Sequence, residues 1–255
     1  CAEGDCGACT VAVSEPVGNS GEIGLKAINS CIQFLPTLDG KELITVESLA
    51  TDDELHPVQE AMVNNHGSQC GFCTPGFVMS MYVLYETNPN PGRQDIDDAL
   101  SGNLCRCTGY RPIIAAANEM VKADRSANRK PSPDFKALHR EHSLQVEQNG
   151  RRFFAPLNAD ELAELLTEYP EATILAGGTD VGIWVTKQHR ELSTIIYIGR
   201  VAELQVLDIS DTHLEIGAAV SLSDAVPLIV EHYPGLIEMF RRFASPPIRN
   251  AGTLG

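Results

Sequence analysis

Eight cysteines constrain this 255-residue chain more than any other feature, because none of them follows position 107. They form two groups of four: Cys1, Cys6, Cys9 and Cys31, then Cys70, Cys73, Cys105 and Cys107. A disulfide framework suits small secreted domains, whereas this chain is long enough to bury a core. Thiols that only fill a core would lie in apolar runs, but these lie among Gly, Asp, Ala and Thr. The pattern therefore indicates metal ligation.

The first group has the spacing C-x4-C-x2-C, followed by a distant fourth cysteine. Four thiolates also bind zinc, often through C-x2-C pairs. The three-cysteine run is instead typical of a plant-type [2Fe–2S] cluster. Gly4 and Gly7 lie between these cysteines, where glycine permits backbone conformations that turn amide groups toward sulfur. The spacing therefore favours an iron–sulfur cluster over zinc.

The second group combines C-x2-C with C-x-C, a spacing that suits zinc and iron–sulfur equally. The pattern predicts helices around it, over 56–66, from Thr74-Pro75 to about Tyr85, over 95–100, and from Pro112 onward. Cys73 and Cys107 would each precede a helix. Two helix N-termini would then direct partial positive charge at one site, which favours an anionic cluster in a helical bundle.

The second half of the chain alternates helices with short apolar strands. The pattern predicts a helix from Asn158 to about Tyr169, a strand at 172–176 and a helix after it, strands at 203–208 and 213–220, and a helix at 225–231 capped by Ser221. The Gly-Gly-Thr-Asp turn after the first strand could receive a phosphate, although the motif alone also fits a plain strand–turn–helix corner. It is not the G-x-G-x-x-G of a Rossmann site.

Charge and hydropathy exclude two classes of protein. The chain carries 34 acidic and 19 basic residues, a net charge of −15, which argues against a phosphate-rich partner such as nucleic acid. No run approaches the roughly 20 apolar residues that span a bilayer. Because the chain opens on Cys1 and stops in a glycine-rich run, we interpret it as a fragment.

Three segments, CAEGDCGAC (1–9), GSQCGFCTPG (67–76) and GNLCRCTGY (102–110), closely resemble the molybdenum hydroxylases, the family of xanthine dehydrogenases and aldehyde oxidases. The resemblance implies that each cysteine group ligates one [2Fe–2S] cluster. It thereby favours iron–sulfur over zinc at the second group, where the spacing leaves both possible. It also implies that Gln69 approaches a molybdopterin cofactor. The strands that precede the first ligand in the family are absent here, so we expect a truncated β-grasp.

Segments 174–181, 216–222 and 243–255 resemble the FAD domain of the same family. Carried over residue by residue, the FAD contacts are Ile174, Leu175, Ala176, Gly177, Gly178, Thr179, Asp180, Val181, Phe243, Ala244, Thr253 and Gly255. The expected fold is α+β and multidomain. It comprises a ferredoxin-like [2Fe–2S] domain (1–50), a four-helix [2Fe–2S] domain (51–121), a polar linker (122–150) and an incomplete α/β FAD domain of the vanillyl-alcohol-oxidase/CO-dehydrogenase-flavoprotein type (151–255).

The resemblance implies that this chain transfers electrons and has no catalytic residue of its own. Electrons would leave hypoxanthine or xanthine at molybdopterin on a large partner subunit, cross two clusters to FAD, and reduce NAD+. The expected assembly is a cytoplasmic heterotetramer of two small and two large subunits, without nucleic acid or membrane. Two alternatives remain open, namely the same role in another molybdenum hydroxylase, such as an aldehyde enzyme, and a zinc-stabilised structural module.

Overall fold

The first half of the chain begins with a sheet that lies between two other layers. The computed structural model describes residues 1–17, 22–51, 54–125 and 133–255. Strand β1 is central in this sheet and pairs antiparallel with a strand on each side. Because successive side chains point to opposite faces, Ala12 joins a helical core while its neighbour Val13 lines a cleft on the other face. The strands are β1 (Thr10–Val17), β2 (Glu22–Asn29) and β3 (Glu42–Ile44).

The predicted helices of the second cysteine group are confirmed. They are α1 (Pro57–Asn64), α2 (Thr74–Thr87), α3 (Arg93–Leu100) and α4 (Arg111–Met120). Proline occupies the first turn of α1, α2 and α4, where a missing amide donor costs nothing. The apolar α2 supplies Phe77, Met79 and Met81, which are fully buried. Cys73 lies just before α2 as predicted, but the N-cap is Cys73 itself and not Thr74. Helix α4 begins after Tyr110, so Cys107 lies in a loop rather than at a helix start.

The predicted linker, 122–150, contains regular structure that its composition did not indicate. It holds α5 (Phe135–Leu138) and β4 (Leu144–Gln148), while residues 126–132 lie outside the described residues. Strand β4 is polar and mostly exposed, as suits the edge of a sheet, so it lacks the apolar run of a buried strand. Asn149 and Gly150, both at positive φ, form the tight turn into the next strand.

The second half contains a mixed sheet in the order β4-β5-β7-β6, in which β5, β7 and β6 run parallel. Asn158 caps the next helix, and the predicted helix, strand and following helix are confirmed. The elements are β5 (Arg151–Ala155), α6 (Ala159–Glu168), β6 (Thr173–Leu175), α7 (Thr179–Thr186) and β7 (Thr194–Tyr197).

The last part of the chain differs from the prediction in its strands. The elements are β8 (Leu207–Ile209), β9 (Leu214–Ile216), α8 (Leu222–His232), α9 (Ile237–Arg242) and α10 (Pro246–Ala251). Of the strand predicted at 203–208, residues 203–205 belong to a 3-10 turn and only 207–208 to β8, and the strand predicted at 213–220 stops at Ile216. The reason is that the chain after β9 turns back on this 3-10 segment, where Ala219 donates to the Leu204 carbonyl. Ser221 caps α8 as predicted.

Candidate functional site

The first cysteine group joins a loop before β1 to the 3-10 turn after β2. Gly4 and Gly7 have φ of 76° and 69°, a left-handed conformation that glycine adopts without steric cost. The loop folds so that the Cys6 amide donates to the Cys1 sulfur at 3.3 Å. The Cys31 thiol hydrogen-bonds with Cys9, and its pKa is raised, chiefly by burial. The fold thus brings the distant fourth cysteine to the loop of the other three.

The second group lies where α2 begins and where the loop before α4 returns. Cys70 hydrogen-bonds with Cys107, and Cys73 with Cys105. Burial raises the pKa of Cys73 to about 11. Burial also acts to raise the pKa of Cys105, but hydrogen bonds, first from the Thr108 hydroxyl, outweigh it and lower that pKa to about 7. The two halves of this group therefore meet although 31 residues lie between Cys73 and Cys105.

Contacts between thiols occur in both groups. Thiol pairs form between Cys9 and Cys31, Cys70 and Cys107, and Cys73 and Cys105. Among the described residues, no three or more Cys, His, Asp or Glu side chains are grouped to hold a single metal ion. In a [2Fe–2S] cluster each iron takes two protein ligands, whereas structural zinc takes four at one ion. The fold therefore brings the thiols of each group together, as ligation of a two-iron cluster requires.

Hydrogen bonds tie the two cysteine groups to each other. The Leu104 amide donates to the Cys6 carbonyl at 2.9 Å, and the buried Asn103 side chain donates to the Gly7 carbonyl at 3.1 Å. A β-carbon at Gly7 would lie 2.1 Å from the Gly102 carbonyl oxygen, and one at Gly76 would lie 1.9 Å from the Gly7 carbonyl oxygen. This close backbone approach requires glycine at these positions.

The glycine turn of the second half opens on a cleft of about 440 Å³. Gly178, at φ 77°, is the N-cap of α7, and a β-carbon at Gly177 would lie 1.9 Å from the Ala251 carbonyl oxygen at the end of α10. The opposite wall of the cleft comes from the first sheet and includes Val13 and Lys26. The N-terminus of a helix behind a bare glycine turn presents free amide donors, an arrangement that suits a phosphate.

Polar contacts hold the two walls of this cleft together. The Lys26 ammonium contacts the Asp224 carboxylate at 2.7 Å, and the Asn250 side chain donates to the Ala27 carbonyl at 2.8 Å. Further along the interface, Asp39 accepts two hydrogen bonds from Arg140, at 2.9 and 3.0 Å. Chiefly through the hydrogen bonding from Arg140, the pKa of Asp39 lies below its ordinary value.

The predicted flavin contacts divide between the cleft and its surroundings. Five of them line the cleft, namely Leu175, Ala176, Gly177, Gly178 and Thr253. The Ile174 side chain is exposed, and Val181 is buried in the core of the second sheet. Phe243, Ala244, Gly255 and Asp180 are exposed residues outside the lining of the cleft, and Thr179 is partly buried at the start of α7. Gln69 is exposed beside Cys70. Contact of all these residues with a cofactor stays a prediction.

Two side chains of these sites were not predicted from the sequence. Asn103 is 3% exposed and also accepts from Ser80, so its amide is fully engaged inside the core. Thr108 lies at 3.1 Å from the Cys105 sulfur and accepts from the Tyr110 amide. A signal for both was available, because short polar residues beside ligating cysteines commonly satisfy backbone and sulfur groups.

Comparison with protein families agrees with both halves of this description. The family described as "[2Fe-2S] binding domain" matches residues 45–118, and "FAD binding domain in molybdopterin dehydrogenase" matches residues 145–255. The fold and its sites therefore define an iron–sulfur flavoprotein segment of the α+β class. No helix in the described ranges has both the length and the apolar character that crossing a membrane requires.

Relatives narrow this class further. Xanthine dehydrogenase 1 of Arabidopsis thaliana is 32% identical over 325 residues, and aldehyde oxidase 1 of Bos taurus is 32% identical over 313 residues. Both alignments cover all of this chain, which spans only 24% and 23% of the relatives. The solved quinoline 2-oxidoreductase of Pseudomonas putida 86 is 34% identical, covering 48% of this chain and 69% of that one, with a TM-score of 0.41. The chain belongs to the xanthine dehydrogenase and molybdenum hydroxylase family, and it corresponds to the iron–sulfur and FAD-binding part.

Proposed function

We propose that this chain is the electron-transfer part of a xanthine dehydrogenase and carries two [2Fe–2S] clusters and FAD. The observation that carries the proposal is the gathering of the eight cysteines in two hydrogen-bonded groups, next to a cleft that contains a bare glycine turn. Because the chain spans about a quarter of its relatives, hydroxylation of the purine would take place on another segment or chain that carries molybdopterin.

The residues present fit these groups. Cys1, Cys6, Cys9 and Cys31 would ligate the first cluster, and Cys70, Cys73, Cys105 and Cys107 the second. The Thr108 hydroxyl would hydrogen-bond to a ligand sulfur, a contact that tunes the reduction potential of such clusters. The amides that follow Gly177 and Gly178 would receive the pyrophosphate of FAD.

Because hydroxylation would take place elsewhere and this chain would only transfer electrons, the chain needs no general base. When bound, the clusters carry electrons singly and FAD exchanges single electrons for the hydride that NAD+ accepts. The protein supplies position and insulation. Phe77 and Met79 of α2, for instance, are fully buried in the same apolar core as Cys105. Gln69, exposed beside Cys70, would face the molybdopterin of the partner.

The same proposal covers organisation and assembly. The domains would be the ferredoxin-like unit (1–50), the helical unit (51–121), a linker (122–150) and the FAD unit (151–255). The partner would be a molybdopterin-binding large subunit in a cytoplasmic heterotetramer of two small and two large subunits. The excess of acidic residues argues against nucleic acid as a partner.

A second candidate is the same role in an aldehyde-oxidising enzyme, because bovine aldehyde oxidase 1 and a plant xanthine dehydrogenase are equally similar to this chain. Turnover by the protein with its molybdopterin partner decides between them. We expect xanthine and hypoxanthine, with NAD+ as acceptor, to reduce the flavin and form NADH. Turnover of aldehydes without turnover of purines would favour the second candidate. A colourless protein with two bound zinc ions would contradict both.

A further inference from the structure

Helix α7 contacts both segments that supply the first cysteine group. Its last residue, Thr186, donates a hydrogen bond from its hydroxyl to the Ala2 carbonyl at 2.6 Å. Near its middle, a β-carbon at Gly182 would lie 2.6 Å from the Ile32 carbonyl oxygen, so the helix backbone lies directly against the residue that follows Cys31. The helix that starts at the glycine turn therefore also touches the loop of Cys1 to Cys9 and the turn of Cys31.

Thr186 makes a contact that its own helix does not require. Helical threonines often donate back to the carbonyl four residues earlier, and the Gly182 carbonyl lies at 3.1 Å. The Ala2 carbonyl lies closer, at 2.6 Å, across 184 positions of sequence. A hydroxyl has only one proton to donate, so the shorter contact takes precedence.

The backbone that Thr186 holds is itself strained. Ala2 has a φ of 59°, in the left-handed region that is unfavourable for a residue with a β-carbon. Such a conformation persists only where its surroundings fix it. Beside it, the Lys187 ammonium lies 3.3 Å from the Glu3 carboxylate, but both groups are about 40% exposed, and such pairs contribute little. The half-buried hydroxyl contact is the stronger constraint on the segment between Cys1 and Cys6.

We propose that Thr186 is a positioning residue for the first iron–sulfur cluster. Its hydroxyl fixes the Ala2 carbonyl and with it the placement of the Cys1 and Cys6 sulfurs. This role rests on the proposed function, because it requires a cluster at the first cysteine group. It also makes α7 a rigid link between that cluster and the glycine turn proposed for FAD.

The test compares Thr186→Val with Thr167→Val in the purified protein. Valine keeps the shape of threonine and removes the hydroxyl. Thr167, near the end of α6, is a matched control, because within the described part of the chain its hydroxyl donates only to the Ala163 carbonyl of its own helix. Reduced protein is incubated with an iron(II) chelator, and the electron paramagnetic resonance signal of each cluster is followed with time.

For Thr186→Val we expect the first cluster to be lost about fivefold faster than in wild type and its signal to shift, because one hydrogen bond is missing. The second cluster should behave as in wild type, Thr167→Val should change neither, and Thr186→Ser should restore the wild-type rate and spectrum. If Thr186→Val does not fold, Thr186→Ala against Thr186→Ser gives the same comparison. Two intact clusters with unchanged loss in Thr186→Val would overturn the positioning role alone. Wild-type protein without iron would overturn the proposed function as well.

Discussion

The two cysteine groups are supported by different parts of the molecule. Around the first group, several contacts come from the flavin half, since Thr186 holds Ala2 and the Ile248 side chain lies beside Gly4. Around the second group they come from the adjacent loop, where Thr108 lies against the Cys105 sulfur and the Tyr110 hydroxyl accepts from the Cys105 amide. The first site therefore depends more on docking of the flavin half, whereas the hydrogen bonds to Cys105 come from its own loop.

The largest effect should come from removing a ligand in each group separately. Cys6→Ser should abolish the first [2Fe–2S] signal and Cys73→Ser the second, because a serine oxygen replaces a required thiolate. Electron paramagnetic resonance of the reduced protein measures both signals at once. Loss of both signals in either variant, with circular dichroism still showing a folded chain, would break the division into two groups.

A smaller effect is expected where the two groups share a contact. Gly76→Ala places a β-carbon 1.9 Å from the Gly7 carbonyl oxygen and should lower the free energy of unfolding by about 1–3 kcal/mol. Both cluster signals should weaken together. Chemical denaturation checks the stability. Gly235→Ala is the control, because a β-carbon there meets no atom within 4 Å. If Gly76→Ala weakened only one signal, the hydrogen-bonded junction would not couple the groups.

The third prediction separates the flavin turn from the clusters. Gly178→Val forces a branched residue into φ 77° and should weaken FAD binding about tenfold, with both clusters retained. Gly150→Val imposes the same strain at φ 75°, at a position outside the cleft lining where no described atom lies within 4 Å of the added β-carbon. Flavin fluorescence after dialysis measures retention. Equal flavin content in the two variants would contradict a phosphate site at the turn.

The smallest effect concerns the interface on which the first site depends. Asp39→Asn removes the carboxylate that binds Arg140 and Arg200, and should lower the free energy of unfolding by about 1 kcal/mol at pH 7. Because the pKa of Asp39 is lower in the folded chain than its ordinary 3.8, its contribution is complete above pH 3.8 and disappears as the pH falls through the lowered value.

Unfolding of wild type and Asp39→Asn at stepwise lower pH measures this contribution. The control is Asp97→Asn, which breaks an exposed ion pair with Arg93 within α3 and should change stability little. A difference between wild type and Asp39→Asn that grew as the pH fell would contradict the assigned role of Asp39.

The sequence was most informative where structure is local. Prolines in the first helical turns and the cap at Asn158 located their helices, since these signals act within a few residues. Strand β4 was missed because an exposed edge strand has no apolar run, although Asn149-Gly150 was a usable turn signal.

The contacts that support the candidate sites could not be predicted in the same way. The pairing of Cys9 with Cys31 depends on how β1 and β2 align, and the Asn103 contact with Gly7 spans 96 positions. Spacing identified which thiols belong together, but only the fold shows which of them face each other.

The most direct test measures iron, acid-labile sulfide and reduced-state electron paramagnetic resonance on one anaerobically purified sample. We expect two irons and two sulfides for each cysteine group, with two distinguishable [2Fe–2S] signals. Protein that contains neither iron nor labile sulfide, or that gives a single signal with all eight cysteines intact, would contradict the assignment of one cluster to each group.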